Sequence, residues 1–278
     1  MKKIFSFLAL LFLGAFCGCT VLFFQPQGGI FSDPANEGQK YEVIKFHSSD
    51  GTELSAMYFR AQGKAAGTVV HFHGNAQNMT AHYPYSSWLA EHGFNVFVFD
   101  YRGYGASGGN PSVAGAVEDG AAALMQVKKI PDVDARKIAV FGQSLGGALA
   151  VAAIVKAGGE PPAALVLDST FYSYRGVASE VLQSRWWSAP FFWLPWVAVS
   201  NAYYPGKIIG DINCPKLFFH AKNDPVVAFS QGEKLYNAAG EPKKLVIVPA
   251  GHCAAFTAFR PIYGPQLVDF LNNAFAAR

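Results

Sequence analysis

The chain has 278 residues, 51% of them hydrophobic and 15% charged, with 22 Lys+Arg against 19 Asp+Glu and a formal net charge of +3. So much apolar surface and so little charge exclude a disordered chain, and one α/β domain is a better fit to this length than two average domains. The basic residues are scattered in nothing longer than pairs such as Lys128-Lys129, which leaves no footprint for a nucleic-acid partner. Four cysteines without C-x-x-C spacing offer neither a zinc knuckle nor a disulfide framework.

Lys2 and Lys3 open the chain, and no further charge appears until Asp33. A basic start followed by an apolar run is a targeting signal and is set aside from the fold. Phe16-Cys17-Gly18-Cys19 resembles a bacterial lipobox, although Phe16 and Cys17 depart from its usual residues. Residues 1–18 are then a lipoprotein signal peptide, Cys19 is the lipidation site, and 19–40 form an anchor and linker. The alternative is an uncleaved anchor, because Ile4 to Phe24 is about twenty-one largely apolar residues, enough to span a bilayer. Either way the two lysines stay cytoplasmic. The rest of the chain is expected in the cell envelope, membrane-anchored and outside the cytoplasm.

From Tyr41 the pattern becomes regular. Tyr41 to Phe46 and Glu53 to Phe59 alternate around a Ser49-Asp50-Gly51-Thr52 turn signal, which predicts a hairpin. Thr68–His73 is a strand, a helix is predicted near Thr80–His92, and Asn95–Asp100 is a strand followed by a Gly-rich loop over Arg102–Asn110. A helix over Ser112–Lys129, a strand over Lys137–Phe141, a small-residue helix over Leu145–Ala157 and a strand over Ala164–Asp168 continue the alternation. Lys216–His220, a helix near Ser230–Ala239, Lys244–Val248 and a terminal helix ending near Ala276 complete it. Short, continuously apolar strands separated by helices predict an α/β fold with a mostly parallel sheet covered on both faces. One interval breaks the rhythm: Thr170 to Gly206 holds four of the five Trp, seven Phe/Tyr and three charges, and is cut by Pro190, Pro195 and Pro205. It reads as an aromatic lid, at about 171–206, inserted into a domain spanning 41–278.

Gly142-Gln143-Ser144-Leu145-Gly146 matches G-x-S-x-G. The bare pattern is weak, but here it follows an apolar strand and precedes a helix, the strand–turn–helix setting a nucleophile elbow requires. Serine on so tight a turn is strained, and the flanking glycines let strand and helix approach. A serine hydroxyl needs a base, itself held by a carboxylate. His252 lies in a loop just past the last strand, where sites assemble in parallel sheets. Asp168 and Asp224 both end strands between Ser144 and His252. Asp224 is favoured because its strand should neighbour the one leading to His252. Asp100 precedes the serine and is expected to stabilise the loop Tyr101–Gly105. For the oxyanion, the backbone N–H groups of Asn75 and Leu145 are the expected donors, with Gly74 placed for close approach. Such donors are worth about 3 kcal/mol each. His71 and His73 could be read as a metal pair, but no third ligand stands close by, so neither metal nor cofactor is expected.

These motifs together, His73-Gly74-Asn75-Ala76, Asp100-Tyr-Arg-Gly-Tyr-Gly105, Gly142-Gln-Ser-Leu-Gly-Gly147, Asn223-Asp224-Pro-Val and Gly251-His252, resemble the α/β-hydrolase superfamily. The likeness runs from about Tyr41 to the C-terminus and is to the branch containing abhydrolase-domain and serine-aminopeptidase-like enzymes. Cys253-Ala254 departs from the polar residue that relatives often carry after the histidine. The resemblance implies a lid and a serine esterase, lipase, thioesterase or peptidase. Joined to the aromatic lid and the N-terminal signal, it points to hydrolysis of a carboxylic ester or thioester of lipid-like character, such as the palmitate thioesters that members of this branch cleave, through an acyl-enzyme on Ser144. The substrate is then a small-molecule or lipid-like ester, with the membrane as partner. An aminopeptidase-type amide hydrolase and a non-catalytic binding protein on the same fold are the alternatives. Cys214 and Cys253, at opposite ends of neighbouring strands about 20 Å long, are expected to be free thiols.

Overall fold

The computed structural model describes residues 23–184 and 186–278. The signal peptide expected over 1–18 and the lipidation site expected at Cys19 lie outside these residues. Eight strands make one sheet: β1 (Glu42–His47), β2 (Glu53–Phe59), β3 (Gly67–Phe72), β4 (Phe94–Phe99), β5 (Ile138–Gln143), β6 (Ala164–Asp168), β7 (Lys216–Ala221) and β8 (Lys243–Val248). Their order is β8-β7-β6-β5-β3-β4-β2-β1. β1 and β2 form the expected antiparallel hairpin, β2 runs antiparallel to β4, and the other pairings are parallel. Strands β3 to β7 are buried along their whole length, which is why their sequences are apolar runs without alternation. At the sheet edge β1 buries only Phe46.

Helices cover both faces. On one, α1 (Val113–Val127) and α2 (Leu145–Ala157) bury Val117, Leu149 and Val151 against Phe72 and Phe99 of the sheet. On the other, α5 (Arg260–Ala276) packs Leu267 and Phe275 over Phe94, Phe141 and Phe219. Two further helices, α3 (Tyr174–Gln183) and α4 (Phe229–Ala238), follow β6 and β7. The caps of α1 and α3 are serines: Ser112 Oγ accepts from Gly115 N–H and Ser173 Oγ from Gly176 N–H, both at 3.0 Å. Each such cap is worth about 1 kcal/mol.

The helix predicted over Thr80–His92 is instead one α-turn, Met79–His82, followed by 3-10 turns at Tyr83–Tyr85 and Ser87–His92. Pro84 is the physical reason, since it donates no N–H and disfavours helical geometry at the residue before it. Between β6 and β7 the expected strand-free interval contains α3 and short turns at Ala189–Phe191, Leu194–Ala198 and Pro205–Ile208. Pro190, Pro195 and Pro205 each stand in the first turn of one of these pieces, where the missing N–H costs nothing.

Of the stretch 19–40, expected as anchor and linker, Phe23, Phe24 and Pro34 are buried in the domain and most of the other described residues are exposed. Phe23 and Phe24 are buried, and Phe24 meets Tyr104 edge-on at 6.4 Å. Gln25–Pro26 then pair in parallel with Ala76–Gln77. Two adjacent aromatic residues stabilise the fold more by burial here than a solvated linker would allow. Among the described residues no helix is long and apolar enough to cross a membrane. Cys214 and Cys253 are free and buried.

Candidate active site

The carboxyl ends of β5, β6, β7 and β8 meet along one rim of the sheet, and the chain leaves them through Ser144, Asp168, the Asp224 loop and the His252 loop. Ser144 sits between β5 and α2 with φ 51° and ψ −117°. That is a left-handed position a non-glycine residue occupies at a cost of about 1–3 kcal/mol. The glycines around it are steric necessities. A Cβ on Gly142 would lie 2.5 Å from Gly147 Cα, and one on Gly146 would lie 2.1 Å from the Phe72 carbonyl oxygen and 2.3 Å from that of His73. At Gly74, by contrast, a Cβ would meet only His82 at 3.4 Å.

Ser144, Asn75 and Leu145 line one cleft of about 110 Å³, with Phe23, Phe171 and Val227 among its walls. Leu145 opens α2, so its N–H belongs to the unpaired positive end of the helix. The Asn75 peptide is held from two sides, its carbonyl accepting from Tyr104 Oη at 2.6 Å and from Gln25 N–H at 2.9 Å. Tyr101 Oη likewise donates to the His73 carbonyl at 3.0 Å. The Asp100–Gly105 loop therefore braces the loop that carries Asn75. Asp100 itself accepts from Met79 N–H at 2.7 Å through Oδ1, and its carbonyl accepts from Ser107 Oγ at 2.8 Å.

His252 Nδ1 lies 2.8 Å from Asp224 Oδ2 and 3.0 Å from Oδ1. Asp224 Oδ1 also accepts from the N–H groups of Val226 at 2.8 Å and Val227 at 2.9 Å. Burial of the Asp224 carboxyl pushes its pKa up, but the hydrogen bond and charge of His252 and the two backbone donors outweigh burial and hold it below the usual carboxylate range. The histidine loop is pinned beside the serine. One oxygen, the Asp168 carbonyl, accepts from Ser144 N–H at 2.8 Å and lies 3.7 Å from Cys253 Sγ, while Cys253 N–H donates to Ser169 Oγ at 3.0 Å. The departure at Cys253 thus fills a buried position with a small apolar side chain.

Asp168, the other carboxylate considered, does not reach His252. Its Oδ1 accepts from Ser169 Oγ at 3.3 Å, its Oδ2 has no hydrogen-bond partner, and burial pushes its pKa up to about 8. His71 and His73 are both tied into the interior. His71 Nε2 meets Gln143 Oε1 at 2.8 Å and Nδ1 meets Ser86 Oγ at 2.8 Å. His73 Nδ1 meets the Gly74 carbonyl at 2.8 Å and Nε2 lies 3.2 Å from Asp100 Oδ1. Among the described residues no group of three or more His, Cys, Asp or Glu could hold a metal ion.

Sequence reasoning missed two residues. His220 is buried in β7, with Nε2 meeting the Val227 carbonyl at 3.0 Å and lying 3.7 Å from Asp224 Oδ2, and burial holds its pKa below the usual range. It ties down the loop that presents Asp224; its place just before Lys222-Asn223-Asp224 was the available signal. Phe23 was hidden because it ends an apolar run that reads as a targeting segment.

A parallel sheet with a strained serine at a strand–helix elbow, and a histidine–carboxylate pair issuing from the second and third strands beyond it, defines an α/β hydrolase. The family model described as serine aminopeptidase, S33, matches residues 63–208, and the chain belongs to this family of hydrolases. It is 36% identical to the protein YfhR of Escherichia coli strain K12 over 98% of this chain and 96% of that one. It is 30% identical to the lysophosphatidylserine lipase ABHD12 of Danio rerio over 75% of this chain and 58% of that one. Among solved structures, the esterase Pf2001 of Pyrococcus furiosus shares the fold with a TM-score of 0.72, at 19% identity, covering 90% of this chain and 98% of that one.

Proposed function

We propose that the protein hydrolyses a carboxylic ester or thioester through an acyl-enzyme on Ser144. His252 Nε2 takes the hydroxyl proton as Ser144 Oγ bonds to the substrate carbonyl carbon, and Asp224 keeps the ring aligned and stabilises the imidazolium. The carbonyl oxygen, now negative, is met by the N–H groups of Asn75 and Leu145. Collapse of this adduct expels the alcohol or thiol, which receives the proton from His252. Water, deprotonated by the same ring, then attacks the acyl carbon and restores the serine. The observation that carries this reading is the Asp168 carbonyl, which holds Ser144 and the residue after His252 on one oxygen while Asp224 holds His252 from behind.

Apart from Asn75 and Ser144, the described cleft lining is apolar. This suits an acyl chain better than the free α-ammonium group of an aminopeptidase substrate. The lipase named among the relatives supports the same substrate class. A membrane-anchored placement in the cell envelope, through a lipid on Cys19 or an uncleaved anchor, fits the surface of the 171–206 segment, where Trp186 is 89% and Val197 77% exposed, with Phe191, Trp193 and Trp196 also exposed. Only three residues separate Cys19 from Phe23, so a lipid there would be within about 14 Å of chain from the cleft. Fluorophosphonate labelling tests the mechanism: the parent protein labels on Ser144 and Ser144→Ala does not. Absence of labelling in the parent, together with no turnover of activated nitrophenyl esters, overturns it, and turnover of aminoacyl anilides alone transfers the case to the peptidase reading. An intact Met1 terminus without an acyl group in mass spectrometry removes the lipoprotein version.

A further inference from the structure

The chain enters the described structure as a strap across the active-site rim. Gln25 N–H donates to the Asn75 carbonyl at 2.9 Å, Gln27 N–H to the Gln77 carbonyl at 3.2 Å, and Asn78 Nδ2 donates to the carbonyls of Gln27 at 2.9 Å and Gly29 at 2.8 Å. At its leading end Phe23 is 6% exposed, its ring centroid 6.4 Å from Phe171 and 5.1 Å, edge-on, from Tyr174. Phe171 lines the Ser144 cleft, Tyr174 lines a separate cavity of about 240 Å³, and Phe23 lines both. The second cavity, walled also by Val113, Ala114, Val199 and Ala202, takes no part in the chemistry described above.

We propose that this second cavity is a binding site for the distal part of a long acyl chain, and that Phe23 is the partition that sets how much of the chain the site accepts. The inference rests on the ester-hydrolase reading. The second cavity, about 240 Å³, is roughly twice the size of the serine cleft, about 110 Å³. The serine cleft alone therefore accommodates a short acyl group. Phe23 lines both spaces, so its ring stands between the serine cleft and the second chamber. That ring is held by an edge contact with Tyr174 and a tilted one with Phe171, whereas the backbone hydrogen bonds of the strap begin two residues later, at Gln25. A rotation of the Phe23 side chain can thus join the two chambers and leave the Asn75 tether in place.

Chain-length profiles with nitrophenyl butyrate and nitrophenyl dodecanoate test the partition. Phe23→Ala is expected to raise the dodecanoate-to-butyrate ratio of kcat/KM by about tenfold or more, because additional methylenes become buried. Adding Ala202→Phe, which fills the second cavity from its rim, is expected to return the ratio toward the parent value. An unchanged ratio in Phe23→Ala, or a double variant that keeps the Phe23→Ala profile, overturns the proposal. A readout free of turnover is dodecanoate binding to the Ser144→Ala protein by calorimetry, which Ala202→Phe should weaken severalfold even if Phe23→Ala fails to fold; equal affinity in the two proteins also overturns it. A parent protein inert to all esters refutes the hydrolase reading, and the calorimetry then still decides whether the cavity takes an acyl chain.

Discussion

Gly146→Ala is the most exacting test of how the site is assembled. The new Cβ would stand 2.1 Å from the Phe72 carbonyl oxygen and 2.3 Å from that of His73, and even a 3.0 Å separation requires the elbow and the Asn75 loop to part by about 0.9 Å. Both obstacles are backbone atoms, so no side-chain rotation relieves the clash. The His73 carbonyl is also the acceptor for Tyr101 Oη, and Asn75 lies two residues on, so the displacement is passed to one of the two proposed oxyanion donors while the other stays on α2. Displacing one donor costs about 3 kcal/mol of transition-state stabilisation, roughly a hundredfold in kcat. Overpacking itself should cost about 1–3 kcal/mol of folding stability, which leaves the protein folded under assay conditions. Steady-state hydrolysis of nitrophenyl butyrate, paired with urea unfolding, separates the two effects. A folded Gly146→Ala protein with kcat within about threefold of the parent would refute the reasoning.

Other substitutions address the charge arrangement. Asp224→Asn keeps an acceptor for the Val226 and Val227 N–H groups but loses the negative charge behind His252, so kcat is expected to fall by roughly 10³–10⁴ with little change in unfolding midpoint; a loss under tenfold in the same ester assay would remove Asp224 from the mechanism. Asp168 titrates near 8 in the folded protein against near 4 in the unfolded chain, so between these values the folded state binds the extra proton and stability falls as pH rises. Asp168→Asn should abolish that slope and be more stable than the parent by at least about 1 kcal/mol at pH 8.5. Parallel urea midpoints for the two proteins at pH 5 and pH 8.5 would contradict this.

The sheet was readable from the sequence because its strands are short apolar runs closed by turn residues, and α2 was readable from Leu145 to Ala157 because nothing in it interrupts a helix. Ser144, Asp224 and His252 could be singled out because each ends or follows a strand whose partner in the sheet followed from chain order. What could not be read depends on contacts between distant segments. The helix over Thr80–His92 fails at Pro84, which breaks the segment into one α-turn and 3-10 turns. The role of His220 needed the return of the 224–227 loop onto β7, and the role of Tyr104 needed the Asn75 carbonyl brought 2.6 Å from its hydroxyl. Phe23 was the hardest to see, because it ends an apolar run that reads as a targeting segment, and such a run looks the same in one dimension whether or not its end packs into a cleft.

The strap has a bearing on proteolysis. A cut before Phe23 would free a domain whose Asn75 peptide keeps the bond from Gln25, and the shed fragment should remain a working enzyme. A cut a few residues later, near Gly28-Gly29, would leave that peptide held by Tyr104 alone. On the proposed anchoring, detachment from the bilayer and loosening of the Asn75 loop would then be separate events, decided by fewer than ten residues of cleavage position.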